Sequence, residues 1–280
     1  MLSLLWPHPA AMVKTEKTKT LLIADPHIGW EMELQKKGIH VPSQMPKILN
    51  KLTAILDEYK PQRLVIIGDV KYSIVTSEMT EWHDVPDFFA ELQCHIGDIA
   101  VVRGNHDANI EPLLPENVKL LPATGVAIGD VGVFHGHKWP SPALLGCKTL
   151  VMGHLHPAVV FRDPAGFKIT RQAWMKTKCD PEALAKILLQ KHKVKIESTV
   201  AETLQKHYNV RLKSKEILIM PSFNDFLGGR PVNESRPRKE SGGEALIGPV
   251  LRSEAVDVAN SELYLLDGTY LGTLNQLRHL

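Results

Sequence analysis

The sequence predicts an α/β protein, a four-layer α/β/β/α sandwich of two mixed sheets with a helical insertion. Three observations predict it. Short apolar runs at residues 21–24, 64–67 and 99–102 alternate with helical patterns, as strands of a parallel sheet with crossover connections do. From residue 118 to residue 170, six short apolar runs follow one another with turn residues between them and no long helix, which reads as a second, more antiparallel or mixed sheet. Each of the first three runs also ends in a polar residue, at Asp25, Asp69 and Asn105. The carboxyl edge of an open α/β sheet is where ligands bind.

The remaining elements follow in order. After the first run, Ile48, Leu52, Ile55 and Leu56 share one helical face, and Pro61 lies just beyond. Residues 87–96 read as a second helix. The second sheet draws on runs at 118–121, 126–128, 131–134, 150–152, 159–161 and 167–170. Residues 179–214 turn helical and read as an insertion on the edge of the core. A helix at 181–192 has Asp180 as N-cap and Pro181 in its first position. A helix at 198–207 is opened by Ser198, with Glu202 in its first turn. A strand at 216–220, a mobile loop at 228–248 rich in Gly, Pro, Ser and charge, and a closing hairpin around Gly268 complete a single domain spanning 1–280.

Composition narrows the class. With 44% hydrophobic and 23% charged residues the chain reads as soluble and globular. A net charge of +2 is too weak to argue for nucleic acid by itself. Lysines 186, 191, 193, 195 and 206, and the cluster Arg230, Arg236, Arg238 and Lys239, are local basic groups without interleaved aromatics, so they read first as solvated surfaces. Three scattered cysteines, Cys94, Cys147 and Cys179, make no disulfide framework or zinc knuckle. The N-terminal apolar run is broken by Pro7 and Pro9 and is too short for a signal peptide or a membrane span. A reducing, cytoplasmic setting without a membrane partner is the expectation.

Histidines complete the polar pattern at the strand ends. Asp25-Pro26-His27 and His154-Leu155-His156 each place two ligand-type residues two apart, on one side of an extended segment. His135 follows the run 131–134 and is flanked by Gly136. Mixed oxygen and imidazole donors suit Mn, Fe, Zn, Co or Ni rather than calcium, and the lack of cysteine argues against a structural zinc. Asp69 can bridge two metals, because a carboxylate has two oxygens.

The series Asp25-x-His27, Gly68-Asp69, Gly104-Asn105-His106-Asp107, His135-Gly136-His137 and Gly153-His154-x-His156 resembles the calcineurin-like metallophosphoesterase superfamily, with all five motifs in order. Residues 24–31, Pro221-Ser222-Phe223-Asn224 with Gly228-Gly229, and residues 265–269 extend the resemblance to archaeal phosphoesterases related to the nuclease SbcD and to ligase-associated ICC-like phosphoesterases. The resemblance implies a di-metal centre. Asp25, His27, Asp69 and His156 would hold one metal, and Asp69, Asn105, His135 and His154 the other. Manganese is the first expectation. It further implies His106 as the group that protonates the leaving oxygen, Asp107 as the group that orients His106 or raises its pKa, and Arg103 as a contact to a phosphate oxygen. His137 stands beside these residues, facing substrate or packed. The other histidines, His8, His40, His83, His95, His192, His207 and His279, fall outside any motif.

One position departs from the pattern. SbcD-type nucleases keep a histidine three residues after the motif's aspartate, where this chain has Tyr72. Tyrosine donates a hydrogen bond but carries no positive charge near neutral pH. The expected function is hydrolysis of phosphoesters, as a phosphodiesterase or nuclease acting on nucleotides or nucleic acid. A phosphomonoesterase of small substrates, and a non-catalytic nucleic-acid-binding or scaffold protein on the same fold, are the alternatives. The resemblance also implies a homodimer.

Overall fold

In the computed structural model, which describes residues 1–74, 79–234 and 247–278, the apolar runs at 21–24, 64–67 and 99–102 become strands buried on both faces. β1 (Leu2–Leu4), β2 (Ala10–Lys14), β3 (Lys19–Ala24), β4 (Arg63–Ile67), β5 (Asp98–Val102) and β6 (Lys119–Leu121) form one sheet in sequential order. The pairings β1–β2 and β2–β3 are antiparallel, and those from β3 to β6 are parallel. Helices α1 (Met32–Gln35), α2 (Met45–Tyr59) and α3 (Met79–Gln93) lie in the connections.

The second sheet contains β7 (Val126–Ile128), β8 (Val131–Phe134), β9 (Thr149–Met152), β10 (Pro157–Arg162), β11 (Lys168–Cys179), β12 (Glu216–Ile219) and β13 (Arg230–Pro231), in the order β13-β10-β11-β12-β9-β8-β7. The hairpin β14 (Val256–Leu265) and β15 (Tyr270–Thr273) attaches along β11. Helices α4 (Pro181–Lys191), α5 (Val200–Tyr208) and α6 (Leu274–Arg278) pack beside it.

The layers follow from the period-two geometry of a strand. In β3, Leu21 and Ile23 face a cluster with Leu52, Ile55, Phe88 and Phe89 of α2 and α3, whereas Leu22 and Ala24 face the second sheet. In β4 and β5 the same division separates Leu64 and Ile66 from Val65 and Ile67, and Ile99 and Val101 from Ala100 and Val102. A third cluster joins the far face of the second sheet to Leu184, Leu188, Leu189 and Leu204 of α4 and α5. Three cores between four layers make the α/β/β/α sandwich.

Register sets where the strands end. Ala24, Ile67 and Val102 stand side by side, so Asp25, Gly68-Asp69 and Gly104-Asn105 leave the first sheet together. In the second sheet Phe134, Met152 and Ile219 are aligned in the same way, which brings His135 and Gly153-His154 to one edge. The segment Pro221-Ser222-Phe223-Asn224 stitches the two edges. Phe223 N–H donates to the Ala24 carbonyl at 2.7 Å, Ser222 Oγ to the Asp25 carbonyl at 2.6 Å, and Asn224 Nδ2 to the Pro26 carbonyl at 3.0 Å.

Several elements differ from their sequence expectation. The second helix runs Met79–Gln93 instead of 87–96, with Pro86 inside it. Pro86 removes one backbone hydrogen bond, but Val85, Phe88, Phe89 and Leu92 are anchored in the core, and tertiary burial outweighs that loss. The run at 118–121, expected in the second sheet, joins the first as β6, parallel to β5. β11 extends to Cys179 instead of ending at residue 170. Its exposed or half-exposed lysines alternate with buried Ala173, Met175 and Thr177, so charge obscured the strand. β1 and β2 were not anticipated. The N-cap of α5 is Thr199 rather than Ser198, because Thr199 and Glu202 have the three-residue spacing of a reciprocal capping box. Of the loop expected at 228–248, residues 235–246, including Arg236, Arg238 and Lys239, lie outside the described residues, as does His279. No helix among the described residues is long and apolar enough to cross a membrane.

Trp174 is fully buried between the two sheets. Trp174→Ala is expected to lower unfolding stability by about 3–5 kcal/mol, measured by urea denaturation.

Candidate metal centre

The backbone at the mouth of the two sheets is bent into an uncommon conformation. Asp25, His27, Asp69, His154 and His156 all have positive φ, between 45° and 67°. Such a left-handed turn costs a non-glycine residue roughly 1–3 kcal/mol and persists only where the surrounding structure enforces it. Here backbone hydrogen bonds do so: His27 N–H donates to the Asp69 carbonyl at 3.0 Å, and Ile28 N–H to the Val70 carbonyl at 2.8 Å. Asp25-Pro26-His27 and His154-Leu155-His156 are therefore not the extended segments the sequence suggested: both ligand-type residues of each pair sit in left-handed turns.

Those side chains form two adjoining groups. Ligand atoms of Asp25, His27, Asp69 and His156 lie within 4.8 Å of one another, as do those of Asp69, His135 and His154. Asn105 joins the second group, its Oδ1 3.1 Å from His135 Nε2. All seven expected ligands therefore meet at one place. Asp69 belongs to both groups, through one oxygen rather than two. Its Oδ1 accepts the His106 backbone N–H at 2.8 Å, whereas Oδ2 lies 3.6 Å from His27 Nε2 and 3.3 Å from His135 Nε2.

The donor set fits metal ions. Asp25 Oδ1 and His27 Nδ1 are buried without a hydrogen-bond partner. Buried polar atoms are normally satisfied. His27 Nε2 and His156 Nε2 face each other at 3.4 Å, and burial, reinforced by the neighbouring His156, His106 and His135 against the pull of Asp69, holds His27 well below the ordinary imidazole value. Neutral imidazoles and carboxylates converging on a point are the ligand forms a divalent transition metal needs. His154 is pulled down to about 3 by burial and by His135. Burial also works against charge on His135, yet Asp69, Asp25 and the Ile67 carbonyl raise it to about 10. Conversely, His135 and His27 hold Asp69 well below the usual carboxylate range despite its burial. A bound cation would take over the charge balance that the His135 proton provides here. Two glycines leave the room: a Cβ on Gly104 would collide with the Asp69 carboxylate, and one on Gly153 would lie 2.5 Å from Asp25 Oδ2.

The expected catalytic residues divide. His106 sits at the mouth, its ring edge-on to His27 with centroids 4.8 Å apart and its Nε2 3.9 Å from Asp69 Oδ2. Asp107 takes a different part from the one expected. It is fully buried, and its carboxylate accepts the backbone N–H groups of Asp69, Val70 and Gly104, each at 2.8 Å. No hydrogen bond to His106 occurs among the described residues. Asp107 thus ties the turn after β4 to the turn after β5. Burial, with Asp69 second, pushes its carboxyl up to about 6. Arg103 forms an ion pair with Glu111 at the surface instead of pointing at the centre. His137 stands beside the second group, its ring 5.2 Å from that of His135, and burial lowers it to about 4. Sequence reasoning assigned no role to Ser222 and Asn224. Their signal was a Pro-Ser-Phe-Asn string following a strand, which says nothing of its partner 197 residues away.

These contacts separate the two residues by experiment. Asp107→Ala leaves three buried N–H donors unpaired, at about 1–3 kcal/mol each before relaxation, so it is expected to destabilise the fold by at least about 3 kcal/mol and to lower metal content. Arg103→Ala is expected to cost under about 1 kcal/mol. Denaturant titration and elemental analysis check both.

Comparison with known proteins agrees with this geometry. The model of the calcineurin-like phosphoesterase family matches residues 18–212. No curated protein sequence matches the chain. Among solved structures, a Pseudomonas putida nuclease MPE is similar at 15% identity over 97% of this chain and 100% of that one, with a TM-score of 0.48. The phosphoesterase Yfce from E. coli is similar at 20% identity over 51% of this chain and 73% of that one, with a TM-score of 0.32. A conserved uncharacterized protein from Streptococcus pneumoniae, described as a predicted phosphoesterase, is similar at 12% identity over 90% of this chain and 91% of that one, with a TM-score of 0.28. With its family model covering well over half of the residues, the five motifs gathered where the two sheets' edges meet and a donor set suited to metal ions, this chain belongs to the calcineurin-like phosphoesterase family and is a metal-dependent phosphoester hydrolase.

Proposed function

We propose that the chain hydrolyses phosphodiesters of nucleotides or nucleic acid, with two divalent transition metals, manganese first, held by the seven residues above. The observation that carries this reading is the pair of ligand groups sharing Asp69. When bound, two such ions activate a water and neutralise charge on the phosphate. The protein's own residues do the rest. Asp69 Oδ2 sets the spacing of the two halves. Asn105 adds a donor without negative charge, so the site does not repel a phosphate further. His106, at the rim with Nε2 inward, gives a proton to the leaving oxygen.

The substrate's organic part is supported by a cleft of about 690 Å³ that opens beside His154. Half-buried Trp139, which also packs against the core, lines it with His137 and His192 and with the cations Lys138 and Arg252. An indole offers a base-stacking face, and cations suit a phosphate-bearing chain. The expected basic surface of residues 186–206 is drawn into ion pairs in part, as Lys206 to Glu197 at 2.7 Å.

Bis-p-nitrophenyl phosphate is expected to be hydrolysed with Mn²⁺, with activity abolished by chelation and about two metals per chain by elemental analysis. His106→Ala is expected to lower kcat by about 10²–10⁴, and Asp69→Asn to lose metal as well. Undiminished turnover in either variant sinks the assigned roles. Trp139→Ala is expected to raise KM about tenfold for thymidine 5′-p-nitrophenyl phosphate, in line with a stacking contribution of about 1–3 kcal/mol, and to leave KM for methyl p-nitrophenyl phosphate unchanged. Equal effects on the two esters would remove the support for a nucleotide substrate.

A further inference from the structure

Tyr72, the departure from the nuclease pattern, contributes its backbone to the site. His106 Nδ1 is hydrogen-bonded to the Tyr72 carbonyl oxygen. A carbonyl only accepts, so Nδ1 carries the proton and Nε2 is the nitrogen directed inward. In free imidazole side chains the Nε2–H form is the commoner neutral one, so a fixed acceptor at Nδ1 selects the other.

The Tyr72 carbonyl shares a peptide unit with the Ser73 N–H. In a planar trans peptide these two groups point in opposite directions. Ser73 N–H donates to Glu81 Oε1 at 2.7 Å, and Tyr72 N–H reaches the same oxygen at 3.0 Å while also meeting the Ile28 carbonyl at 3.0 Å. The Lys71 ammonium donates to the Ser73 carbonyl. Glu81 lies in the first turn of α3 and is fully buried. A carboxylate on one side of the peptide and an imidazole on the other make one continuous relay of hydrogen bonds. Polarisation along such a relay strengthens the carbonyl as an acceptor.

We propose that Glu81 is a positioning residue for His106. Acting through the Tyr72–Ser73 peptide, it fixes His106 as the Nδ1–H form with Nε2 aimed at the leaving oxygen. This rests on the hydrolase reading above. In the step it serves, the water oxygen bonds to phosphorus and the bond to the leaving oxygen breaks. That oxygen keeps the electron pair and takes the Nε2 proton of His106 in its doubly protonated form, which leaves the neutral ring with its remaining proton on Nδ1; the proton shed by the attacking water, carried by solvent, restores the Nε2 proton. Because residue 72 supplies a backbone atom, a tyrosine there is compatible with a proton-donating His106.

The test separates positioning from simple support of the fold. Glu81→Met keeps the volume and removes the acceptor, whereas Glu81→Gln keeps an oxygen acceptor. Rates are measured with Mn²⁺ on methyl p-nitrophenyl phosphate, whose leaving group needs little protonation, and on methyl phenyl phosphate, whose leaving group needs more. Glu81→Met is expected to lose about 10²-fold on the phenyl ester but at most about threefold on the nitrophenyl ester, with Glu81→Gln within about threefold on both. Equal losses on both esters in Glu81→Met overturn the proposal. Independently, ¹⁵N NMR of the histidine rings in the Mg²⁺-loaded protein is expected to show His106 protonated at Nδ1 in the wild type and in Glu81→Gln. A wild-type His106 protonated only at Nε2 overturns it, even where Glu81→Met does not fold. In Glu81→Met the same measurement is expected to show His106 shifted toward the Nε2–H form, and an unchanged Nδ1–H form there overturns the proposal; if the wild type cleaves neither ester with any metal, the hydrolase mechanism fails and this measurement still decides the role of Glu81.

Discussion

Asp69 is held on every side, and the site is organised around that restraint. Its N–H is bound by Asp107, its carbonyl receives His27 N–H, and its Oδ1 receives His106 N–H. Only Oδ2 is left to face both halves of the metal centre. With its backbone tied through both N–H and carbonyl and its Oδ1 held by a backbone N–H, the side chain has little rotational freedom left to lose, so Oδ2 is positioned before any ion binds. A looser aspartate would adapt to one ion at the expense of the other.

The restraint is costly, and its cost shows where it should. Five ligands sit in left-handed backbone conformations, two buried polar atoms lack partners, and two carboxylates, Asp69 and Asp107, are buried close together. None of this stabilises the fold. It is sustained by the three cores of the sandwich and by the Ser222–Asn224 stitch. Local strain of this kind, concentrated where the edges of the two sheets meet, is what a preorganised cation site requires.

The residues that meet at the candidate metal centre were legible in the sequence because they follow strands that the apolar pattern reveals. Strand ends are points of low freedom, and parallel register brings them together. Neighbouring residues misled where spacing alone was used. Asp107 is next to His106 in the chain, yet its side chain turns inward to backbone amides, and Arg103 turns outward to Glu111. Glu81 gave no signal at all: in sequence it is one of many acidic residues near a helix start, and it is separated by eight residues from the amide that gives it meaning.

By itself the sequence determined the two-sheet architecture, the family and which residues are the candidate donors, since hydrophobic periodicity and motif order are local properties of the chain. Only the tertiary structure decided which sheet β6 joins, how far β11 and α3 extend, and which oxygen of Asp69 is available. It also placed the Tyr72 carbonyl, not its side chain, in a hydrogen bond with His106 Nδ1. Those outcomes depend on hydrogen bonds and burial between distant segments. Such contacts form only when register and packing bring the segments together, and no local spacing encodes them.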